Sequence, residues 1–408
     1  MTRRVVVTGM GAISGFGSDW RQAESVLRTY RNAVVRMPEY AEYRGLNTNL
    51  AAPVDFELPR SYSRKQLRTM GRVAAMAVRA AELALTQSGL LGDPVLKSGQ
   101  AGVAFGSSSG SPPAIAEFGH MLVDKTTEGL NATSYVRMMA HTAAVNIGVF
   151  FGIIGRIITT SSACTAGSQG IGYAYEAIKF GRQRLMLAGG GEELDPTQAA
   201  VFDTLYATST RNDSPSTTPR PYDVNRDGLV IGEGAAVLVL EERDHAIARG
   251  APIIAEIVGF ATNADGQHIT RPNQDTMAQC LRLALEDAGL PASALGYVNG
   301  HGTATEHGDI AETQATAAVF GRPVPISSLK SYVGHTLGAC GALEAWLSIE
   351  MLNHDWYAPT INLDSVDPRC GDLDYIRGEG RVMQHEFVMS NNFAFGGINT
   401  SLVFKRSV

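Results

Sequence analysis

The stretch Arg156–Gly181, RIITTSSACTAGSQGIGYAYEAIKFG, decides how the rest of the chain is read. Ile157, Ile158, Thr159 and Thr160 form a β-branched run that reads as a buried strand. Small residues follow from Ser161 to Ser168. A helical spacing then runs through Ile171, Ala174, Tyr175 and Ile178, with Gly181 where a helix C-cap falls. Cys164 therefore lies at the hinge between strand and helix. Free N–H groups and the helix dipole at such a hinge are expected to lower a thiol's pKa, and the small neighbours leave the sulfur approachable. That placement suits a nucleophile. A free cysteine is also commonly a small buried hydrophobe, so partners elsewhere in the chain must decide between the two.

Outward from this stretch, the chain repeats itself. Strand-like VVVTGMGAISGFG (5–17) is echoed by AEIVGFATNADG (255–266), and the amphipathic MAVRAAELALTQSGL (76–90) by MAQCLRLALEDAGL (277–290). GVAFGSSSG (102–110) is echoed by GYVNGHGTAT (296–305), SSACTAGSQGIGYAYEAI (161–178) by KSYVGHTLGACGALEAWLSI (330–349), and LAGGGEEL (187–194) by NNFAFGGIN (391–399). Five echoes in one order imply duplicated α/β halves, residues 1–250 and 251–408, with mostly parallel sheets covered by helices. Two insertions fall in the first half. Residues 204–228, rich in Ser, Thr, Pro and Asp, are expected to be an irregular surface excursion too polar to bury. Residues 118–139 are expected to form a helical cap near the substrate path. Equivalent strand–helix junctions of a duplicated fold face each other, so Cys164 and His335, in nearly equivalent positions, are expected to converge.

The composition agrees with a globular protein of ample core: 408 residues, 44% hydrophobic and 18% charged. A net charge of −6 argues against a general nucleic-acid or membrane binder. No apolar run approaches membrane-spanning length, and the glycines of the N-terminal segment break up any signal-peptide core. Four cysteines without a CxxC pair point to a reducing compartment, taken as the cytoplasm.

His301, in GHGTATEHGD, and His335, in LKSYVGHTLGACG, each follow a strand end, where catalytic side chains collect in α/β sheets. With Lys330 and Cys164 they suggest thiol chemistry supported by two imidazoles. A metal site from His301, His307, Asp309 and His335 is the other use of these side chains, although the spacing fits no ligand pattern. Asp309 could instead be the N-cap of a helix over 310–319. There is no P-loop, and GMGAISGFG lacks a suitably placed acidic partner, so nucleotide binding is weakly signalled.

SSACTAGSQGIG, GHGTAT followed by GD, LKSYVGHTLGACG and SNNFAFGGIN, in this order, resemble the β-ketoacyl-acyl carrier protein synthases of KAS I/II type, over nearly the whole chain. The resemblance implies a thiolase fold, a duplicated five-layer αβαβα sandwich, and a dimer. It implies decarboxylative Claisen condensation with no metal or organic cofactor beyond the phosphopantetheine of an acyl carrier protein. By position, Cys164 matches the acyl-accepting nucleophile, and His301 and His335 match the pair that promotes malonyl decarboxylation. Lys330 matches the family's lysine and Glu312, one turn from Asp309, its usual carboxylate partner. Phe395 matches the gating phenylalanine whose N–H joins that of Cys164 in an oxyanion hole. Thr303 and Thr305 match the pantetheine-holding hydroxyls, Ser109 and Phe393 positions of the acyl pocket, and Arg64, Lys65 and Arg68 a carrier-protein docking cluster. For that cluster a solvated helix face is the alternative. Ala394, Ile398, Glu306 and His307 depart from the common pattern, and the motifs taken whole look most like the ketosynthases of bacterial aryl polyene clusters. The alternatives are primary fatty acid synthesis, a noncatalytic chain-length subunit, a biosynthetic thiolase using Cys340 as a second cysteine, and a Cys–His hydrolase.

Overall fold

The structure, a computed structural model, describes residues 2–407. In the first half the strands are β1 (Val5–Ile13), β2 (Ala101–Gly106), β3 (Ile157–Thr160), β4 (Leu185–Glu192) and β5 (Gly234–Glu242). In the second they are β6 (Ala255–Ala264), β7 (Leu295–Asn299), β8 (Pro325–Ser327), β9 (Phe387–Ala394) and β10 (Ile398–Arg406). The spatial order is β3-β2-β4-β5-β1 in one half and β8-β7-β9-β10-β6 in the other, which is the same order twice. The halves join where Val5–Val7 of β1 pair antiparallel with Ala255–Ile257 of β6. A short strand, Asp374–Tyr375, extends the second half beyond β8. The sheets are less parallel than the alternation of strands and helices suggests. Only β2–β3, β2–β4, β7–β8 and β7–β9 run parallel among these ten strands, because the last strand of each half returns antiparallel between the fourth and the first.

Period-two alternation sorts the side chains of each half-sheet into two cores. Leu185, Leu187, Val237 and Val239 face outward onto α1 (Arg72–Gln87) and α2 (Thr142–Phe151). Met186, Ala188, Leu238 and Leu240 face inward onto α3 (Ala166–Lys179) and α6 (Cys340–Asn353). The second half-sheet mirrors this, with α4 (Gln274–Ala288) and α5 (Glu306–Phe320) on its outer face. Helix, sheet, helix, sheet, helix: this is the five-layer thiolase fold that the resemblance implies. Its buried central helices carry the site on their N-terminal ends.

The polar insertion, irregular as expected, stays on the surface only in part. Thr218, Arg220, Tyr222 and Asp223 are buried. Their polar groups find partners: Arg220 pairs with Asp223 and Asp364, Asp223 also accepts from Ser365 N, and Tyr222 N donates to Asp309. Composition misleads here because a polar segment buries readily once its groups satisfy one another. The other insertion is helical, Pro112–Asp124 and Ser134–Met138, and largely exposed.

Candidate active site

The two central helices start in the same way. A three-residue 3₁₀ turn, Ala163–Thr165, leads into the fourteen residues of α3, and Leu337–Ala339 leads into the fourteen of α6. Ala163 (φ +50°) and Leu337 (φ +47°) open the turns in the left-handed region, a strained conformation for residues with a Cβ. The counterpart of Cys164 is thus Gly338. His335 lies three residues earlier, so the expected near-equivalence of Cys164 and His335 is off by most of a turn, while their convergence is real. His335 Nε2 lies 3.0 Å from Cys164 Sγ.

Hydrogen bonds fix both imidazoles. Leu337 N donates to His335 Nδ1 (3.2 Å), leaving the proton on Nε2, towards the sulfur. His301 Nδ1 accepts from Lys330 Nζ (3.1 Å) and Asn392 Nδ2 (3.3 Å), so its proton also sits on Nε2. The two rings meet edge to face, centroids 5.2 Å apart, and Phe393 packs on His301 in the same manner. Burial, then the nearby Lys330 charge, pushes both histidines well below their ordinary pKa, so both are neutral donors at physiological pH.

Cys164 is 4% exposed, and burial pushes its thiol up to about 11. Lys330 and the backbone N–H groups of Phe395 and Cys164 oppose that rise without cancelling it. The expected low thiol pKa is therefore corrected: the hinge does supply N–H donors, but withdrawal from water outweighs them. The Nε2–H of His335 points at the same sulfur. The resting group is a thiol surrounded by what would stabilise its thiolate.

Lys330 lies in the pair that the sequence reading missed. Its ammonium bonds Glu344, from the second turn of α6, and Glu344 also accepts from Asn392 Nδ2 (2.6 Å). Burial works against this ammonium, but the Glu344 carboxylate holds it above its ordinary pKa. Glu312 is not the partner. Its carboxylate accepts instead from the backbone N–H of His301 and of Gly302 (2.7 Å), shaping the loop that carries His301, and burial raises its pKa to about 8. Asp309 lies inside α5, whose N-cap is Thr305, so it is not a cap. It accepts from Thr303 N (3.0 Å), Ala304 N (3.1 Å) and Tyr222 N (2.7 Å). A signal for Glu344 existed in the sequence: a carboxylate in the middle of the apolar run GALEAWLSI must find a buried partner.

Cys164, His301, His335, Thr303, Thr305, Phe393 and Phe395 all line one cavity of about 460 Å³. Thr303 and Thr305 bring their hydroxyls within 2.9 Å of each other. Phe395 packs on Phe202 at 5.1 Å and heads a turn whose Gly396 and Gly397 have φ +90° and +69°, a conformation glycine adopts without strain. Ser109 does not line this cavity. Its hydroxyl donates to Glu192 (3.0 Å) and accepts from Gln198 (3.2 Å). Arg64, Lys65 and Arg68 are exposed, on and just beyond a short helix capped by Ser63.

Cys164, His301 and His335 would also suit a metal geometrically, their ligand atoms lying within 4.8 Å of one another. The set first considered does not assemble, since Asp309 is bound to backbone amides and His307 lines the cavity wall beyond Thr305. The Lys330 ammonium beside His301 makes a second cation unfavourable there.

A duplicated thiolase fold with a buried Cys–His–His–Lys constellation defines a class of carbon–carbon bond-forming thioester enzymes. The description "Beta-ketoacyl synthase, N-terminal domain" matches residues 2–246, and "Beta-ketoacyl synthase, C-terminal domain" residues 254–364. The 3-oxoacyl-[acyl-carrier-protein] synthase 2 of Vibrio harveyi is 38% identical over 416 residues, covering 99% of each chain, and synthase 1 of Escherichia coli K12 is 35% identical over 409 residues, again 99% of each. Among solved structures, a beta-ketoacyl synthase from Burkholderia phymatum superposes with a TM-score of 0.99 at 60% identity, covering both chains in full. A type II polyketide ketosynthase, solved with its acyl-carrier protein, superposes with a TM-score of 0.88 at 30% identity, also over both full chains. The chain belongs to the beta-ketoacyl synthase family and is an acyltransferase-type condensing enzyme of the 3-oxoacyl-[acyl-carrier-protein] synthase kind.

Proposed function

We propose that this enzyme elongates an acyl chain held on Cys164 with a malonyl unit delivered by an acyl carrier protein, in aryl polyene or polyketide-type chain assembly. The observation that carries the reading is the meeting of the Cys164 sulfur with the Nε2–H of His335 at 3.0 Å, with His301 edge-on beside it, at the end of one cavity. In the first half-reaction the sulfur attacks the acyl thioester. A new C–S bond forms, the pantetheine C–S bond breaks, and the departing thiolate takes the proton that Cys164 loses. The N–H groups of Cys164 and Phe395 would hold the oxyanion. In the second, malonyl carboxylate leaves as CO₂ and its electron pair becomes an enolate, whose oxygen meets the two Nε2–H donors. The enolate carbon attacks the acyl carbonyl, and the Cys164 C–S bond breaks, releasing a 3-oxo chain two carbons longer and a Cys164 thiolate that takes a proton from solvent to restore the thiol. Neutral histidines suit this role, because a donor that is never charged stabilises the enolate without protonating it.

No metal or organic cofactor enters this scheme apart from the carrier's phosphopantetheine, for which Thr303 and Thr305 stand at the cavity wall. The aryl polyene assignment is supported by the whole motifs and by the aromatic wall of Phe202, Phe393 and Phe395, against which a flat conjugated chain would stack. Cys340 does not serve as a thiolase's second cysteine. Its thiol donates to the Cys164 carbonyl (3.2 Å) and does not line the cavity. A homodimer is supported by β3, an edge strand with Ile157 42% exposed beside the exposed Ile154 and Val149, an apolar edge that a second copy would cover. The four free cysteines fit a reducing cytoplasm.

Intact-protein mass spectrometry tests the reading. Mixed with saturated and with conjugated aryl acyl-carrier proteins, the enzyme should gain an acyl adduct on Cys164, faster with the conjugated chains. Malonyl-carrier protein should discharge it as the 3-oxo product. Adducts from saturated chains alone would return the enzyme to fatty acid synthesis, and no adduct from any chain would remove the condensing role.

A further inference from the structure

Glu192 ends β4, deep between the two halves, and lies outside the reacting constellation. It is fully buried, and among the described residues no cation is bonded to it. Its carboxylate instead collects hydrogen bonds from Ser107 Oγ (2.9 Å), Ser108 N (2.7 Å), Ser109 N (3.3 Å), Ser109 Oγ (3.0 Å) and Gly338 N (3.1 Å). Backbone N–H groups converging on one point form an anion-binding nest.

The duplication says what this nest is. Gly338 occupies in the second elbow the place that Cys164 occupies in the first. The N–H of Cys164 is turned on the site as an anion donor, with Phe395 beside it. The N–H of Gly338 therefore belongs to the counterpart of that hole, and Glu192 fills it from within the protein. One residue earlier, Leu337 N donates to His335 Nδ1 while Leu337 itself holds φ +47°. A non-glycine residue keeps that conformation only where its surroundings impose it, and the bond from Gly338 N to Glu192 is the adjacent restraint. The same carboxylate holds Ser107, whose carbonyl accepts from Ser161 Oγ (3.2 Å), in the loop leading to Cys164.

We infer that Glu192 is a positioning residue for His335: by filling the second elbow's anion hole it keeps the Leu337 N–H on His335 Nδ1, and so keeps the donor proton on Nε2, facing the sulfur. It touches neither substrate nor reacting atoms. The inference rests on the proposed function only for its kinetic consequence, since the tautomer can be read without turnover.

The experiment uses full-length protein labelled with ¹⁵N-histidine, in which long-range ¹H–¹⁵N spectra report which ring nitrogen carries the proton. Wild type should show His335 as the Nε2–H form. Glu192→Gln, which puts an NH₂ in place of one oxygen and so opposes two or three of the five donors, and Glu192→Ala should show Nδ1–H or exchange between forms. In both, kcat for malonyl-carrier-protein decarboxylation should fall by about 100-fold, the size of one lost oxyanion donor, with KM little changed. Loading of Cys164 should slow far less. Formate, which fits the vacated nest of Glu192→Ala, should restore the tautomer and part of kcat, a rescue that general loosening of the fold would not give. A folded Glu192→Gln protein with His335 still Nε2–H and kcat within about twofold of wild type would overturn the inference. So would loss of activity that formate cannot touch in a folded Glu192→Ala. If Glu192→Ala does not fold, Glu192→Gln alone decides by its tautomer. If wild type shows no condensation at all, the proposed reaction fails while the tautomer still decides the role of Glu192.

Discussion

Removing the carboxylate of Glu344 tests how the site is held together. Lys330 and Glu344 have side chains 2% and 4% exposed, and Glu344 is the carboxylate bonded to that ammonium. Taking away one member of a buried pair leaves the other charged and dry, which costs about 3–5 kcal/mol. Against a total stability of about 5–15 kcal/mol this is a large fraction. With an m-value of about 3 kcal/mol/M, Glu344→Ala should lower the urea midpoint by about 1–1.7 M. Lys330→Met should do comparable damage, because Glu344 would lose its cation and keep only neutral amide partners, Asn392 and Asn299. The double variant Lys330→Met with Glu344→Leu removes both charges together and should lie within about 2 kcal/mol of wild type, well short of the sum of the singles. Its condensation activity should nevertheless fall steeply, since His301 Nδ1 loses the ammonium and keeps only the neutral Asn392 Nδ2 to fix its tautomer. The assays are urea unfolding followed by circular dichroism and malonyl decarboxylation on the same preparations. Single variants within about 1 kcal/mol of wild type, or a double variant equal to the sum of the singles, would refute the reasoning.

Two further outcomes follow from the same geometry. With its pKa raised to about 11, Cys164 is almost wholly protonated at neutral pH, and the reactive thiolate grows as pH rises. Alkylation of Cys164 by iodoacetamide, followed by peptide mass spectrometry, should therefore quicken about tenfold per pH unit up to the limit of the enzyme's stability; a rate that levels off near pH 7 would mean the thiol is activated at rest. Exchanging Lys65 and Arg68 for glutamate should raise KM for carrier-bound substrates, with the difference shrinking as salt rises, because both side chains are exposed and screened. An unchanged KM at low salt would return these residues to a solvated helix face.

The sequence revealed the site where chemistry is local. Elbows announce themselves through small residues next to a β-branched run, and the echo of 161–178 by 330–349 announced the second elbow, from which the convergence of Cys164 with His335 followed. What escaped were side chains whose meaning depends on distant partners. Glu344, Asn392 and Glu192 lie in stretches whose pattern points to the duplication or to neighbouring residues rather than to them, and only the packing of α6 against β9 and β4 joins them to the site. Glu312 was assigned the wrong partner because its place in α5 identifies a carboxylate but not the direction in which it points. The thiol pKa was misjudged because spacing reveals nearby N–H groups while hiding how completely water is shut out. The insertion at 204–228 was misjudged for the converse reason, as its buried polar groups are satisfied by residues about 90 to 150 positions away.

The identical strand order of the two halves carries a consequence for how such an enzyme could arise. Two separate copies of a half would have to be chemically alike, and each elbow would present the same residue to the shared interior. Joining them in one chain released the elbows from that sameness. One then holds a cysteine where the other holds a glycine, and the loop before the second carries the histidine that the first lacks. A reaction needing a nucleophile on one side and a proton donor on the other requires such a broken symmetry, and in this molecule the linker between β5 and β6 is the covalent record of it.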